Sequence, residues 1–405
     1  MNPSYYGAKS SEDNDIDEFF LSVVQQTTDK LQDSGCVTLT KTEGTDTLIN
    51  ATPLGRAATN FYLSHQTPKQ MRQGARGLRN VLAQHASELK LGEDLQTKKF
   101  LAGNAESTKQ VVSVHKFTPD HALYTYAMAK ILFELSATHE FNELPVRHNE
   151  EELNLELSRS LPWGYDLSKV AWWMDKPNQP GSNILDIMGS PHTKAFLLLQ
   201  AFVFKSKLPI SDYINDMRSV VEQIPRLLAA MQFVALDDKA SAGNFEMFTC
   251  FPLVRRILGT GIMIDAKSSS SASNNPSVKL GNVKVERELG KGTNQHKHKG
   301  RLELDYNIEL NGFRPAQKRG NQGKSSTGFN VALVLGTLTG GYLLNQTSIS
   351  MPESKKSWKK HLKMDFDWNT AEANASRGGQ NLIVLRVVHE SVSDMDFEVL
   401  ISLKS

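Results

Sequence analysis

Three short stretches carry residue types that could handle phosphate. Gly323-Lys324-Ser325 has the lysine and hydroxyl that close a phosphate-binding loop, but the first glycine of G-x-x-x-x-G-K-S falls at Lys318, so the backbone cannot form that cradle. Asp17-Glu18-Phe19-Phe20 lacks the histidine of an Asp-Glu-x-His box, and Ser136-Ala137-Thr138 matches a helicase triplet only at chance frequency. Phosphoryl transfer needs a phosphate cradle, a metal carboxylate and a water-positioning group together. Hydrolysis of nucleotide by this chain is therefore not expected. His296 and His298 could share one side of an extended segment and hold a metal, yet no Cys, Asp or Glu stands within a few residues to complete the shell. A solvated basic loop is the better reading of that pair. Cys36 and Cys250 read as buried structural cysteines rather than nucleophiles. The sequence implies no metal, no cofactor and no catalytic residue.

Chemistry of another kind, neutralisation of phosphates with stacking on aromatics, has more candidates. Residues 212–235 read as one long helix, with Ile214, Met217, Val221, Ile224, Leu228, Met231 and Ala235 at steps of three and four. Tyr213, Val220, Leu227 and Val234 widen that stripe. Its polar face carries Arg218, Glu222 and Arg226 at i, i+4 and i+8. Two readings fit this row: a solvated series of ion pairs, or contacts to a nucleic-acid backbone. Further along, Lys355, Lys356, Lys359, Lys360 and Lys363 surround Trp358 in what reads as a basic loop, and Lys297, Lys299, Lys318, Arg319 and Lys324 lie in others. Lysines beside an aromatic suit single-stranded nucleic acid; lysines also guard exposed sheet edges. Trp172-Trp173 suits either a core position or an exposed partner anchor.

The elements that must hold these residues follow from length and period. With 405 residues the chain is too long for one core, and 39% hydrophobic with 22% charged residues describes a globular protein. No apolar run approaches the roughly 18 residues of a membrane span. Met1 to Tyr6 resembles neither a signal nor a transit peptide. Two cysteines suit a reducing cytoplasmic or nuclear setting. The net charge of +2 hides an asymmetry: from Lys267 onward there are 20 Lys/Arg against 13 Asp/Glu, and before it 26 against 31. The basic half permits a polyanionic partner.

The expected fold is α+β and multidomain. Residues 1–52 give an amphipathic helix (Ile16, Phe19, Phe20, Val23, Val24, Leu31) and two short strands, a partial winged helix. Residues 53–266 read as a helical bundle with a polar surface insertion near 85–113. Within it, Thr52-Pro53 opens a helix whose Gly55, Ala57 and Ala58 admit another backbone closely, Asn149 caps a helix starting Glu150-Glu151-Glu152, and Ser190 caps one starting at Pro191. Pro225 should kink the long helix. A Ser-rich linker over 267–277 follows. Residues 278–405 then alternate with period two, as in Leu302, Leu304, Tyr306, Ile308 and Leu310. Strands are expected there and over 278–287, 329–337, 341–349, 361–368, 380–389 and 395–403, together an immunoglobulin-like β-sandwich.

Four stretches also resemble a known family. Asn2-Pro3-Ser4-Tyr5-Tyr6, Leu54-Gly55-Arg56 with Tyr62 to Thr67, Leu144 to Glu150, and Pro191 to Ala195 with Leu197 to Ala201 are similar to the Sec sixty-three homology (brl) domain that follows each helicase cassette in large Ski-two-like RNA helicases. The likeness covers about residues 1–260, with a further match at Phe329 to Leu335 and in the final strands. It implies a winged helix, a helical bundle and an immunoglobulin-like end. Residues 212–235 would then be the helix that lines the path of a single strand. The family's helix-loop-helix piece is either missing or reduced to about residues 245–266. With both ATPase lobes absent, the chain reads as a fragment of a larger gene or a free-standing relic.

The function so implied is a non-catalytic accessory module. Its partners would be a helicase ATPase cassette in cis or trans, proteins of an RNA-processing or ribosome-rescue complex, and single-stranded RNA, with no membrane. The contact residues would be Arg218, Arg226, Lys355, Lys356, Trp358, Lys359, Lys360 and Lys363. A second reading is a fragment of a Sec sixty-three type translocation subunit, which the missing membrane span and missing His-Pro-Asp tripeptide disfavour.

Overall fold

The computed structural model describes residues 13–41, 47–85, 111–119, 122–171, 183–238, 241–260, 277–287, 299–309, 328–337, 340–352, 357–374, 376–377, 380–391 and 396–403. The 86–110 stretch, the Ser-rich segment, Trp172-Trp173, and the basic residues Lys297, Lys318, Arg319, Lys324, Lys355 and Lys356 lie outside the described residues, as do His296 and His298.

Helix α1 (Asp13–Asp33) leads into a hairpin of β1 (Val37–Lys41) and β2 (Thr47–Ala51), paired antiparallel. The apolar face expected on α1 stays open: Phe20, Val23 and Val24 are exposed, and so are Leu48 and Ile49 of β2. Helix α2 (Pro53–Asn60) begins as its sequence predicts. Proline occupies the first turn, and Thr52 Oγ1 accepts the Gly55 amide at 3.2 Å. Its small residues have the expected use, because a Cβ on Gly55 would stand 2.2 Å from the Cys36 carbonyl oxygen. That contact joins the hairpin to the bundle.

The bundle comprises α3 (Thr67–Gln84), α4 (Ala122–Ser136), α5 (Glu150–Ser160), α6 (Ile184–Met188), α7 (Pro191–Val203), α8 (Asp212–Ala235) and α9 (Asn244–Thr260). Helix α8 has the predicted bounds and runs as one element through Pro225. Its buried face is the row of Tyr213, Val220, Leu227 and Val234 with Ile224 and Met231, while Ile214 is 47% exposed, so the helix is turned from the expected centre. The cap of α5 also differs. Asn149 sits at φ 66° and its side chain makes no capping hydrogen bond; Glu150 turns back instead, and its carboxylate accepts the Arg147 amide at 2.9 Å. Where a helix-loop-helix piece was expected to be missing or reduced, α9 is one helix with Pro252 inside it.

Two antiparallel sheets complete the fold. One has the order β3-β11-β10-β6-β7, from β3 (Val111–Lys116), β6 (Gly328–Thr337), β7 (Leu343–Pro352), β10 (Gln380–His389) and β11 (Phe397–Ser402), with the two-residue β9 (Ser376–Arg377) beside β10. The other is β4-β5-β8, from β4 (Ser277–Arg287), β5 (Lys299–Glu309) and β8 (Ser357–Asp367). The short α10 (Trp368–Asn374) follows β8. Leu302, Leu304 and Tyr306 of β5 face Leu333, Leu335, Ile383 and Leu385 in the core between the sheets. On its other face the larger sheet gives Val334, Leu343, Val384 and Val388 to the core of the bundle. Three layers result, and the middle one is buried on both sides. That explains why β6 and β10 read as continuous apolar runs rather than alternating ones. The closest approach is at Gly336, where a Cβ would meet the Phe245 ring at 2.3 Å.

Strand β3 departs most from the sequence reading. It comes from a stretch expected to be helix and insertion, yet it pairs with the last strand, Val114 opposite Val399. Strand β8 starts four residues earlier than expected, so Trp358, Lys359 and Lys360 lie in a strand and not in a loop.

Candidate nucleic-acid interface

Helix α8 places Arg218 in solvent and Arg226 half-buried. Among the described residues, Arg218, Glu222 and Arg226 form no ion pair with one another, so the row is not the salt-bridged series that its spacing allows. The Arg226 guanidinium is held by neutral groups. Nη1 donates to the carbonyls of Phe61 at 3.1 Å and Tyr62 at 2.7 Å, and Nη2 donates to Gln223 Oε1 at 2.5 Å. Those carbonyls end α2, where the helix dipole is negative, so a cation is favoured there. Arg226 thus pins the end of α2 to α8 without a carboxylate among its hydrogen-bond partners.

The second group of candidates lies on β8, an edge strand. Alternation sends Leu362, Met364 and Phe366 inward and Lys359, His361, Lys363 and Asp365 outward. Each outward group meets a charge on β5. Lys363 Nζ lies 2.8 Å from Glu303 Oε1, His361 Nδ1 lies 2.9 Å from Asp305 Oδ1, and the Arg301 Nε–H donates to Asp365 at 2.7 Å. Lys359 reaches Asp305 only at 3.9 Å. These contacts leave their mark on titration. Lys363 holds the Glu303 carboxyl below its ordinary range, His361 does so for Asp305, and Arg301 for Asp365. Trp358 is half-buried, its ring edge-on to Tyr306 at 6.3 Å with Lys360 Nζ 5.9 Å from its centroid. The structure therefore puts Lys359 and Lys363 in a mixed-charge ladder on one side of β8 and pairs Lys360 with Trp358 on the other. Arg218 and Arg226 belong to a different layer.

Sequence reasoning missed a set of buried charges that shape the bundle around α8. Lys194 of α7 is fully buried, and its Nζ lies 2.6 Å from Glu150 Oε2 and 2.7 Å from Asp216 Oδ2, with the Pro145 carbonyl accepting at 2.6 Å. Arg147 bridges the same carboxylates at 2.8 and 2.7 Å. Two cations and two anions from three helices and the loop before α5 thus close a neutral cluster, and Asp216 anchors α8 to it two residues before Arg218. Burial works against ionisation of Glu150 and Asp216, but hydrogen bonds from Lys194 and Arg147 outweigh it and hold both carboxyls below their usual values. The stretches that carried the family likeness, Leu144 to Glu150 and Pro191 to Ala195, meet here.

Two more buried ion pairs join helices to sheet. Arg386 of β10 pairs with Glu246 of α9, which also accepts the Tyr124 hydroxyl at 2.6 Å, and the Arg386 guanidinium lies 4.4 Å from the Phe245 ring centroid. Arg256 meets Asp396 at 2.6 Å. His389, bonded through Nε2 to the Tyr306 hydroxyl at 2.7 Å, spans the two sheets, and its burial lowers its pKa. Among the described residues no group of three metal-ligating side chains comes together, and no helix is long and apolar enough to cross a membrane.

Comparison with known proteins gives this architecture a family. The Sec63 Brl domain matches residues 113–402, from β3 through α4 to α9 and both sheets to the end of β11. The chain belongs to the Sec63 Brl domain family. Curated relatives of this family member include the DExH-box ATP-dependent RNA helicase DExH14 of Arabidopsis thaliana, 29% identical over 66% of this chain and 9% of the relative. The RQC trigger complex helicase SLH1 of Saccharomyces cerevisiae is 30% identical over 58% of this chain and 9% of its own length. Activating signal cointegrator 1 complex subunit 3 of Homo sapiens is 27% identical over 58% and 8%. The chain thus spans less than a tenth of each of these relatives.

Proposed function

We propose that this Sec63 Brl chain is a non-catalytic accessory module of a Ski2-like helicase, presenting the Arg218 face of α8 to single-stranded nucleic acid and other surfaces to protein partners. In this reading α1 with β1–β2 is a partial winged helix, and the two packed sheets are immunoglobulin-like. The divisions at residues 52, 266 and 277 separate these parts, except that β3 crosses from the second into the fourth. Its partners are a helicase ATPase cassette in cis or trans and the proteins of an RNA-processing or ribosome quality-control complex, in the cytoplasm or nucleus. Two of the three relatives named above are helicases by name.

The observation that carries the reading is the state of the arginines. Arg218 is exposed without an ionic partner among the described residues, and Arg226 spends its hydrogen bonds on neutral groups, so with Glu222 between them the face keeps one net positive charge and an open guanidinium at Arg218. By contrast Lys359, Lys363 and Arg301 face carboxylates on their own sheet. Lys360 with Trp358 is the remaining candidate there, and Lys355 and Lys356 would extend it.

The test is binding of a fluorescent oligouridylate by the full chain across a salt series. Each phosphate contact contributes about 0.7 to the slope of log K against log salt for a single strand. Arg218→Glu should weaken binding at low salt and reduce the slope by at least about that much. Unchanged affinity at every salt concentration would remove α8 as a strand-guiding helix.

A further inference from the structure

We infer that the Tyr62 ring is a stacking platform for one base of a single strand whose phosphates follow the Arg218 face of α8; this deepens the nucleic-acid reading above and rests on it. The backbone supplies the first argument. Helix α2 ends in a Schellman turn, with the Leu63 amide donating to the Ala58 carbonyl at 2.8 Å and the Tyr62 amide to that of Thr59 at 3.3 Å. Tyr62 occupies the left-handed position of that turn, φ 51°, where glycine is at ease and a side chain is strained. It recovers nothing by packing. The residue is 86% exposed, and among the described residues its hydroxyl has no partner and its ring no aromatic neighbour.

The end of α7 offers a comparison within the same molecule. Lys205 takes the equivalent position at φ 52°, with the Ser206 amide donating to the Ala201 carbonyl at 2.9 Å. There a cation meets the negative end of a helix dipole, which offsets the strain. At the end of α2 the cation is Arg226, reaching in from α8, and the Tyr62 side chain itself takes no part in holding the turn. A ring held in solvent at a left-handed position, with no part in holding its own turn, points to a use outside the fold.

Arg226 supplies the second argument. By holding the Phe61 and Tyr62 carbonyls it roots the ring to α8, two helical turns from Arg218. Arg56 of α2 is exposed and also without an ionic partner among the described residues. Phe61 and Leu63 flank the ring but pack against the bundle core, and the exposed residues nearest in sequence include Asn60 and Gln66. A protein anchor would be expected among apolar neighbours. A solvent-exposed ring rooted on an arginine suits a base carried on phosphates, and stacking of this kind tolerates any base.

The experiment compares Tyr62→Gly, Tyr62→Phe and Arg218→Glu in the full chain, against a labelled oligouridylate and an abasic ribose-phosphate strand of the same length. Tyr62→Gly should weaken oligouridylate binding by about 5- to 150-fold, leave the abasic strand unchanged, and raise the unfolding midpoint because the strain is relieved. Tyr62→Phe should retain the wild-type affinity. If Tyr62→Gly keeps full affinity while Arg218→Glu loses it, stacking is overturned and the strand path stands. Equal loss on both strands also overturns stacking. If neither variant changes binding, or the wild type binds neither strand, both readings fall.

Discussion

Lys194 Nζ and Asp216 Oδ2 lie 2.7 Å apart, with the lysine fully buried between α7 and α8. A charge so placed is tolerable only because Glu150, Asp216 and the Pro145 carbonyl take all three of its hydrogens. Lys194→Met should therefore destabilise the chain strongly, by about 3–5 kcal/mol, since it leaves two buried carboxylates with Arg147 alone. Urea unfolding reads this directly; a loss below about 1 kcal/mol would mean that the cluster is far more hydrated than its geometry shows.

The same cluster gives stability a sign with pH. The folded-state pKa values of Glu150 and Asp216 are depressed, so their contribution is complete above the ordinary carboxyl range and is lost as pH falls through the folded values. His389 is depressed too, by burial, so stability also declines as pH drops below about 6.5, where the unfolded histidine protonates. Urea midpoints should fall in two stages on acidification. His389→Gln should remove the first stage and keep the second; a single-stage wild-type curve would contradict this assignment.

Arg226 and Arg218 should separate in stability. Arg226→Ala removes donors from two helix-terminal carbonyls and is expected to cost about 1–2 kcal/mol. Arg218→Ala touches nothing in the fold and should stay within about 0.5 kcal/mol. Equal effects in thermal unfolding would show that the Arg226 contacts to Phe61 and Tyr62 carry no weight.

Gly55 is where α2 meets the hairpin. Because the Cβ of alanine would stand 2.2 Å from the Cys36 carbonyl, Gly55→Ala must push backbone from backbone, at about 1–3 kcal/mol. Hydrogen exchange should then quicken at the Thr52 amide, which donates to that same Cys36 carbonyl at 2.9 Å. No change there would place the strain elsewhere.

The sequence was most legible where period and punctuation agreed. Pro53 after Thr52, and the bounds 212–235, follow from rules that operate within one helix. Orientation about the helix was harder. The Ile214 row and the Tyr213 row are nearly equal in apolar content, and only Asp216, drawn inward by Lys194, shows which one faces the core. Buried charges were invisible for a related reason: Lys194, Arg386 and Glu246 look like any solvated residue until their partners arrive from distant segments. Trp358 and its lysines read as a loop because lysine is depleted in strands, yet the cross-strand acids of β5 make that alternation stable. As for Arg226, the spacing showed a charged face but not that Phe61 and Tyr62 would occupy it.

Strand β3 also sets an order of events during synthesis. Its Val111 pairs with Ile401, so 290 residues separate the two sides of one ladder. At about 5–20 residues per second the earlier strand waits roughly 15–60 s for its neighbour to be made. Throughout that interval Val111 and Val114, which end against the core between the sheets, have no partner from the chain's end. Folding of the bundle before then must proceed with one edge of its supporting sheet unfilled, a window in which a chaperone or another strand could compete for the same hydrogen bonds.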